Sequence, residues 1–503
     1  MRIGGFSTLA HDASLAIVNE NGDIEFASTN DRFSQWKHDA LLSKTLIEKL
    51  TEVDLKVFYE DCHCPEWKER TYPYERMQSR NVPDERLSAY SYEWFNSPTK
   101  VRSAIAEMNL DHHRSHAASS FYTRPWESHN DTVMLTIDGA GKDSWTSNNI
   151  YTYDEKNNKL INHYSDSISI GHLYNKIGNY LGFDDFEEGT VMGLSCFGTP
   201  IYKHLINYIF EKESFLTDIA AERQERERSQ KLLKLLDDKV DKNDANWKAD
   251  VAASLQKVTE ERIIMYAKMA RKYGSKLCYA GGVAQNIIAN SMIKDLFDDM
   301  WIVSDPTDGG GCLGAAAWAY CEEYGGNRIN WKDAYLGYNI EREINPKEVV
   351  DYILEHKVCG IANGQAEFGP RALGNRSLIG DVRYDIKDTV NAIKKREKFR
   401  PFGPLILEEE FDKWFDGPTN GYMQYVCKPR HEFQSVIHVD GTCRVQTVPS
   451  DSRSIIRPIL EEYFERTGVP MLLNTSLNIK GRPMINNEAH AEKFERRYKV
   501  KVF

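Results

Sequence analysis

Two imidazoles four residues apart, His112 and His116, stand in the stretch LDHHRSHAASSFYTRPW, with His113 between them. On a helix, positions i and i+4 share one face, so the pair could present two nitrogens to one cation. A capping or solvated histidine cluster gives the same spacing, and the pair alone does not decide. Two aspartates offer oxygen donors: Asp138 in TIDGAGKDSW and Asp308 in DPTDGGGCLGAA, each at the end of a strand pattern. An ordinary turn or cap residue is the commoner role for such an aspartate. If the fold gathers these strand ends, two histidines and two carboxylates form a donor set suited to a divalent Fe, Mn or Zn ion with open positions. Such an ion could bridge nucleotide phosphates or polarise the carbonyl of a transferred group.

A third glycine turn, CYAGGVAQN, joins the two that carry the aspartates. Glycines let backbone N–H groups approach phosphate closely, and a following helix N-terminus adds a favourable dipole. One such turn means little; three in one α/β unit point to nucleotide binding. None is followed by Gly-Lys-Ser/Thr, and none is a clean dinucleotide fingerprint. The second half carries another signature. GQAEFGPRALGNRS supplies Arg371 and Arg376, NAIKKREKFRPFGP supplies Lys394, Arg396 and Arg400, and LLNTSLN supplies Asn474, Thr475, Ser476 and Asn478. Guanidinium and ammonium groups beside a hydroxyl-amide turn make a phosphate or oxyanion clamp. KKREKFR alone reads as a solvated helix face, but the rigid FRPFGP turn beside it argues against that reading.

The elements that must position these groups follow from the pattern. RIGGFS, ASLAIVN, DIEFAST and DTVMLTID read as strands, with Gly22 at a turn and a hairpin near Lys156–Asn158. Residues 201–272 read as helix, and the run RQERERSQKLLKLLDDKVDKND as a solvated face. A second unit begins near residue 340. The 503-residue length allows two or three domains. No apolar run approaches a membrane span, and the start reads as a strand rather than a signal core. Nine scattered cysteines suggest a reducing cytoplasm rather than a disulfide framework. Cys62–Cys64 has no partner pair at zinc-finger spacing. The net charge of −11 argues against an undirected nucleic-acid coat while leaving room for a local basic groove.

Taken together, HDAS (His11–Ser14), RFSQWKHD, DHHRSHAASSF, TIDGAG, EEGTVMGLS, YAGGVAQN, FGPRALGNRS, REKFRPFGP and LNTSLN occur in one order along the chain. That series resembles the O-carbamoyltransferases that decorate antibiotics and nodulation factors, over nearly the whole length. The resemblance implies an α/β protein. An actin/sugar-kinase-like duplicated ATPase-fold domain, residues 1–340, is followed by a smaller α+β adenylate-forming domain, residues 341–503. It implies metal ligation by His112, His116, Asp138 and Asp308. It places Gly139, Gly281, Gly282, Asn286, Gly309, Arg376, Asn474 and Thr475 at nucleotide contacts. Arg371, Lys394, Arg396, Arg400, Ser476 and Asn478 become the adenylate-forming set.

The chemistry so implied converts carbamoyl phosphate and ATP, with Mg2+, to carbamoyl-adenylate and pyrophosphate. The carbamoyl group then passes to an acceptor hydroxyl beside a divalent metal, Fe2+ by preference. His11 is a candidate for acceptor-side proton transfer, or equally a structural hydrogen bond at a strand end. The acceptor is a sugar-containing metabolite or a hydroxymethylated pyrimidine, free or in DNA; a non-catalytic nucleotide-binding regulator is the alternative of another class. Aromatics and cations mixed over Trp67–Phe95 suit sugars and bases alike. The basic, aromatic ending from Lys493 to Lys499 is a faint nucleic-acid footprint or an amphipathic end. Two departures from the family stand out: a shortened C-terminus, and Arg482 where an acidic residue is usual. No membrane association is expected, and nothing in the sequence specifies an oligomeric state.

Overall fold

Short continuous apolar runs become strands buried on both faces, and their order repeats. The structure, a computed structural model, describes residues 1–9, 11–61, 106–141, 146–208 and 219–503, side chains of 219–226 excepted. Cys62–Cys64 and the Trp67–Phe95 segment lie outside the described residues. The first sheet holds β1 (Ile3–Ser7), β2 (Ser14–Val18), β3 (Ile24–Thr29), β4 (Leu55–Phe58) and β5 (Met108–Asn109), in the order β3-β2-β1-β4-β5. The second holds β6 (Thr132–Ile137), β7 (Asn148–Asp154), β8 (Lys159–Asp166), β9 (Lys276–Ala280) and β10 (Asp299–Trp301), in the order β8-β7-β6-β9-β10. In each, the first three strands form an antiparallel meander, and the first, fourth and fifth run parallel. This is one topology used twice, the duplicated ATPase fold.

The duplication extends to the helices. After the fifth strand of each sheet comes a helix: α1 (His112–Phe121) after β5 and α4 (Asp308–Tyr324) after β10. Between them in sequence lie α2 (Glu188–Ser195) and α3 (Trp247–Ala270). Asp111 caps α1 by accepting from the Arg114 N–H, and Thr307 caps α4 by accepting from the Gly309 N–H. Strand β6 shows how the cores are partitioned. Val133, Leu135 and Ile137 pack with Ile263, Tyr266 and Ala267 of α3, while Met134 points into the core shared by β1, α1 and α4.

Small residues set how closely α1 and α4 cross. A Cβ on Gly314 would stand 1.9 Å from the Ser115 carbonyl oxygen and 2.8 Å from the Ser119 nitrogen. A Cβ on Gly5 would stand 2.0 Å from the Cys312 carbonyl oxygen, so β1 also lies on the α4 backbone. The Ala-Ala-Ser-Ser run after His116 gives α1 the slim, buried face that this approach needs.

The third sheet comprises β11 (Val358–Ala362), β12 (Arg376–Gly380), β13 (Gly403–Leu407), β14 (Gln446–Val448) and β15 (Met471–Ser476), in the order β11-β12-β15-β13-β14. All its pairings are antiparallel except β13 with β14. Helices Pro346–His356 and Ile456–Thr467 cover one face through Val349, Val350, Ile353, Ile459 and Leu460. A short strand, Tyr335–Ile340, pairs with Gly364–Glu367, so residues just before 341 are tied to those that follow. The basic ending is the outer face of a helix, Glu488–Tyr498. Its Phe494 is buried with Leu378, Leu477 and Val502, while Lys493, Arg496 and Arg497 are exposed. Among the described residues, no helix is long and apolar enough to cross a membrane.

Gly314→Ala is expected to cost roughly 1–3 kcal/mol of stability, because the α1 backbone at Ser115 and Ser119 blocks the new methyl. Denaturant unfolding followed by circular dichroism checks this, and a midpoint equal to wild type would refute the close crossing.

Candidate functional site

The repeated topology brings equivalent pieces of the two halves face to face. The β1–β2 turn carries His11 and Asp12, and its counterpart, the β6–β7 turn, carries Asp138 and Gly139. The N-terminus of α1 carries His112 and His116, and that of α4 carries Asp308. His112 Nε2 lies 3.0 Å from Asp138 Oδ2 and 3.7 Å from Asp308 Oδ1; His116 Nε2 lies 3.5 and 3.3 Å from the same oxygens. All four residues are buried, and their ligand atoms lie within 4.8 Å of one another.

These residues fit a divalent cation. Both ring nitrogens of His116 are buried without a hydrogen bond, although two carboxylate oxygens face Nε2. The outer shell is set as a metal site requires. His112 Nδ1 is 3.1 Å from Glu60 Oε1, which fixes the ring with Nε2 inward, and the Gly282 N–H donates to Asp138 Oδ1 at 2.7 Å, leaving Oδ2 for the site. Burial pushes the His112 imidazole down, but Asp308, Asp138 and Glu60 outweigh it and hold it well above the ordinary histidine range. The field that keeps a proton on His112 would equally hold a metal ion. His113 is turned away, Nε2 on the Thr146 carbonyl at 2.6 Å and Nδ1 on Thr136 Oγ1 at 3.2 Å. Burial, with His112 and His116 nearby, pushes its imidazole down to about 3.

His11 borders this set. Its Nε2 is 3.4 Å from Asp308 Oδ2 and its Nδ1 3.1 Å from Asp12 Oδ2, with the ring 39% exposed. Three groups beside it carry no role in the sequence reading. Asp12 also meets His38 Nδ1 at 2.9 Å, and the His38 ring stacks on Phe186 at 4.0 Å, with His11 at 5.0 Å from the same ring. Asp12, His38 and Phe186 all adopt left-handed backbone, at φ 61°, 55° and 65°. Such strain in non-glycine residues concentrates where a surface is shaped for use. The signal was in HDAS and RFSQWKHD, whose Asp and His the spacing could not connect.

The glycines line the same crevice. Gly281 needs its φ of +96°, and its Cβ position is 2.2 Å from the Ile137 carbonyl oxygen. A Cβ on Gly139 would stand 3.1 Å from His172 Nε2, and one on Gly309 2.6 Å from Asp305 Oδ2. Asn286 is differently engaged. It caps the helix Ile287–Lys294, accepting from the Ala289 N–H, and exchanges amide hydrogen bonds with Gln256.

A second site forms around Lys394, which is 3% exposed. Its ammonium donates to the Ser476 carbonyl, to Ser476 Oγ at 3.1 Å, and to Asn478 O and Oδ1 at 3.1 and 2.8 Å. Burial drives the Lys394 amine well below the ordinary lysine range, and Arg396 and Arg400 push it further. Burial and Arg400 lower Arg371 to about 10 and, despite nearby Glu397, Arg396 to about 9. Arg444, which the sequence reading missed, belongs here: burial, then Arg371, Arg396 and Arg400, hold it well below the usual guanidinium range. Its Nε is buried without a hydrogen bond. Glu397, the nearby carboxylate, already pairs with Lys480. The result is a pocket of mutually repelling cations awaiting an anion. Arg444 lay unnoticed in HVDGTCRVQTV because it is the lone basic residue of that run.

Other expected contacts divide. Asn474 donates to the Ala372 carbonyl and Gln446 Oε1, leaving its Oδ1 buried without a partner. Thr475 sits half-buried on β15 opposite Leu378. Arg376 does not join the cluster. Fully buried, its guanidinium donates to the carbonyls of Tyr338, Asn363, Gly364, Asn375 and Asn486. No N–H of that side chain remains for a nucleotide, so its charge serves the fold.

The chain matches two family descriptions: "Carbamoyltransferase N-terminus" over residues 68–317 and "Carbamoyltransferase C-terminus" over residues 350–503. It is 29% identical to nodulation protein NolNO of Sinorhizobium fredii, covering 96% of this chain and 76% of that one. It is 31% identical to nodulation protein NolO of Bradyrhizobium diazoefficiens, covering 76% and 75%. Among solved structures, component A of the (R)-2-hydroxyglutaryl-CoA dehydratase of Acidaminococcus fermentans matches with 13% identity and a TM-score of 0.35, over 64% of this chain and 99% of that one. Full-length HypF in a phosphate- and nucleotide-bound form gives 13% and 0.32, over 63% and 55%.

Glu60→Gln is expected to weaken divalent-metal retention by about 10–100-fold, since it removes the charge that orients His112. Competition with a chelator measures this; unchanged retention would remove the cation from these four ligands.

Proposed function

The chain belongs to the carbamoyltransferase family and is a carbamoyltransferase, and from that premise we propose an ATP-dependent O-carbamoyl transfer in two steps, one at each site. The charge surplus around Lys394 carries this reading. Burial lowers the pKa of Lys394, Arg371, Arg396, Arg400 and Arg444 alike, and beyond burial Arg400 lowers the other four; a polyphosphate relieves that repulsion.

In the first step, water cleaves carbamoyl phosphate to carbamate and inorganic phosphate. A carbamate oxygen attacks the α-phosphorus of ATP, which arrives with Mg2+, and pyrophosphate leaves. The guanidinium groups hold the departing phosphates, and the Ser476–Asn478 turn keeps Lys394 aimed at them. Carbamate is a poor acylating agent; the adenylate gives it a good leaving group. Residues 341–503 are the adenylate-forming part of this reading, and residues 1–340 the transferring part.

In the second step, an acceptor oxygen attacks the carbamoyl carbon and AMP leaves. His112, His116, Asp138 and Asp308 would hold a divalent ion, Fe2+ before Mn2+ or Zn2+. When bound it supplies Lewis-acid polarisation and a seat for the adenylate phosphate. With Asp138 and Asp308 engaged, Asp12 is the carboxylate left facing His11, and Nε2 takes the hydroxyl proton. Asp12 and His38 position that ring. The acceptor class is the hydroxyl of a sugar-containing metabolite, with Phe186 as a stacking surface.

Pyrophosphate release dependent on carbamoyl phosphate tests the division. Lys394→Ala and Arg444→Ala are each expected to lower it by about 10²–10³-fold. His116→Ala is expected to abolish transfer while release stays within a few-fold of wild type; loss of release in that variant contradicts the scheme. A panel of an amino-sugar, hydroxymethylcytosine nucleotide and hydroxymethylcytosine DNA, read by carbamoyl mass gain, identifies the acceptor. Gain on DNA alone would replace the sugar reading.

A further inference from the structure

Among the described residues, a second group of side chains offers donor atoms close enough together to hold a metal ion. Cys196 stands at the C-terminal end of α2, while His438 and Asp440 come from a tight turn shortly before Arg444. One ligand atom from each lies within 4.8 Å of the other two. Cys196 Sγ is 3.4 Å from Asp440 Oδ2, and His438 Nδ1 is 3.7 Å from Asp440 Oδ1. Adjacent ligands around a tetrahedral zinc ion with one sulfur stand roughly 3.3–3.6 Å apart; the Cys196–Asp440 spacing falls inside that range, and the His438 spacing, measured to the other carboxylate oxygen, just outside it.

The surroundings hold the three groups in place. The Thr442 N–H and hydroxyl both donate to Asp440 Oδ1, at 3.0 and 2.8 Å, leaving Oδ2 toward the sulfur. The turn is closed by the His438 N–H on the Thr442 carbonyl, with Gly441 at φ 79°. The His438 ring is buried, edge-on to Phe197 at 5.7 Å, and its Nε2 is buried without a hydrogen bond. The ring is held with Nδ1, the nitrogen nearer the carboxylate, toward Asp440. The Asp440 side chain is 30% exposed, giving an ion a way in.

We propose that Cys196, His438 and Asp440 bind a zinc ion that clips the end of α2 to the loop leading into Arg444, with water in the fourth position. Sulfur, nitrogen and oxygen donors in one small set favour Zn2+ over Mg2+ or Ca2+. Binding forms a zinc–sulfur bond as the Cys196 thiol releases its proton to buffer. The ion sits where the two halves already touch: Phe197 packs on Phe399 at 6.0 Å, and Lys480 pairs with Glu187 at the other end of α2. It would fix the loop that delivers Arg444 to the basic pocket, a positioning role separate from either reaction step.

Cobalt separates this site from the His112/His116 set, which contains no sulfur. The full-length protein, stripped of metal and titrated with Co2+, is expected to develop the near-ultraviolet charge-transfer band of a single cobalt–thiolate bond. Cys196→Ser should abolish it, and Asp440→Asn should weaken Co2+ binding at that band about 10-fold or more, with far-ultraviolet circular dichroism unchanged. His116→Ala should leave the band in place. Absence of the band at saturating Co2+ in the wild type would overturn the proposal, leaving an S–H···O hydrogen bond in place of a site. Its persistence in Cys196→Ser would overturn it equally, by assigning the sulfur to another cysteine. Should Cys196→Ser fail to fold, loss or persistence of the band in Cys196→Ala decides the same way.

Discussion

The molecule turns on one backbone contact, the crossing of α1 and α4 at Gly314 over the Ser115 carbonyl. With a Cβ position 1.9 Å from that oxygen, the helices lie as near as main chains can. Each helix follows the fifth strand of its sheet, so their N-termini converge by the duplication itself. That convergence carries His112 and His116 from one half to Asp308 from the other, and the matching β1–β2 and β6–β7 turns add His11 and Asp138. A wider crossing would move two imidazoles away from a carboxylate, and a polar set spread apart in a dry interior gains nothing to offset its desolvation.

The two sites differ in charge before anything binds. Around His112 the carboxylates of Glu60, Asp138, Asp308 and Asp12 face imidazoles that they hold protonated, while around Lys394 guanidinium groups gather. Phe186 and Glu187 span the interval. The Phe186 ring lies against His38 and His11, and the next residue, Glu187, meets Lys480 at 3.2 Å, which in turn holds Glu397 at the edge of the basic pocket. The left-handed backbone at Phe186 is what lets two consecutive side chains face different sites. Arg32 ties the halves elsewhere, donating to the carbonyls of Glu367 and Gly369 at 3.2 and 3.0 Å.

Strands were legible because their apolar period is local: β1, β2, β3 and β6 fall where RIGGFS, ASLAIVN, DIEFAST and DTVMLTID place them. The donor residues were legible by type, since two histidines at i and i+4 and aspartates at strand ends are unusual enough to notice. What sequence could not convey was commitment. Arg376 looks like its neighbour Arg371, but five carbonyls from four segments enclose it, and only the fold brings those carbonyls together. Arg444 looks like nothing, being alone in its run, until β14 and β13 set it beside Arg371 and Arg400. Phe494 reads as an aromatic in a basic tail and is instead a core residue. In each case at least one deciding partner, Asn486, Arg371 or Leu378, stands more than 50 positions away.

A net charge of −11 does not describe this surface, because the two sites differ from it and from each other. An adenylate is anionic at its phosphate. The basic pocket attracts such a group unaided, whereas the crevice balances its carboxylates with protonated imidazoles. In the proposed scheme a divalent cation on His112, His116, Asp138 and Asp308 would cancel the two aspartates and favour the phosphate there. Metal loading and adenylate affinity in the crevice would then be linked by electrostatics, and by linkage each would strengthen the other.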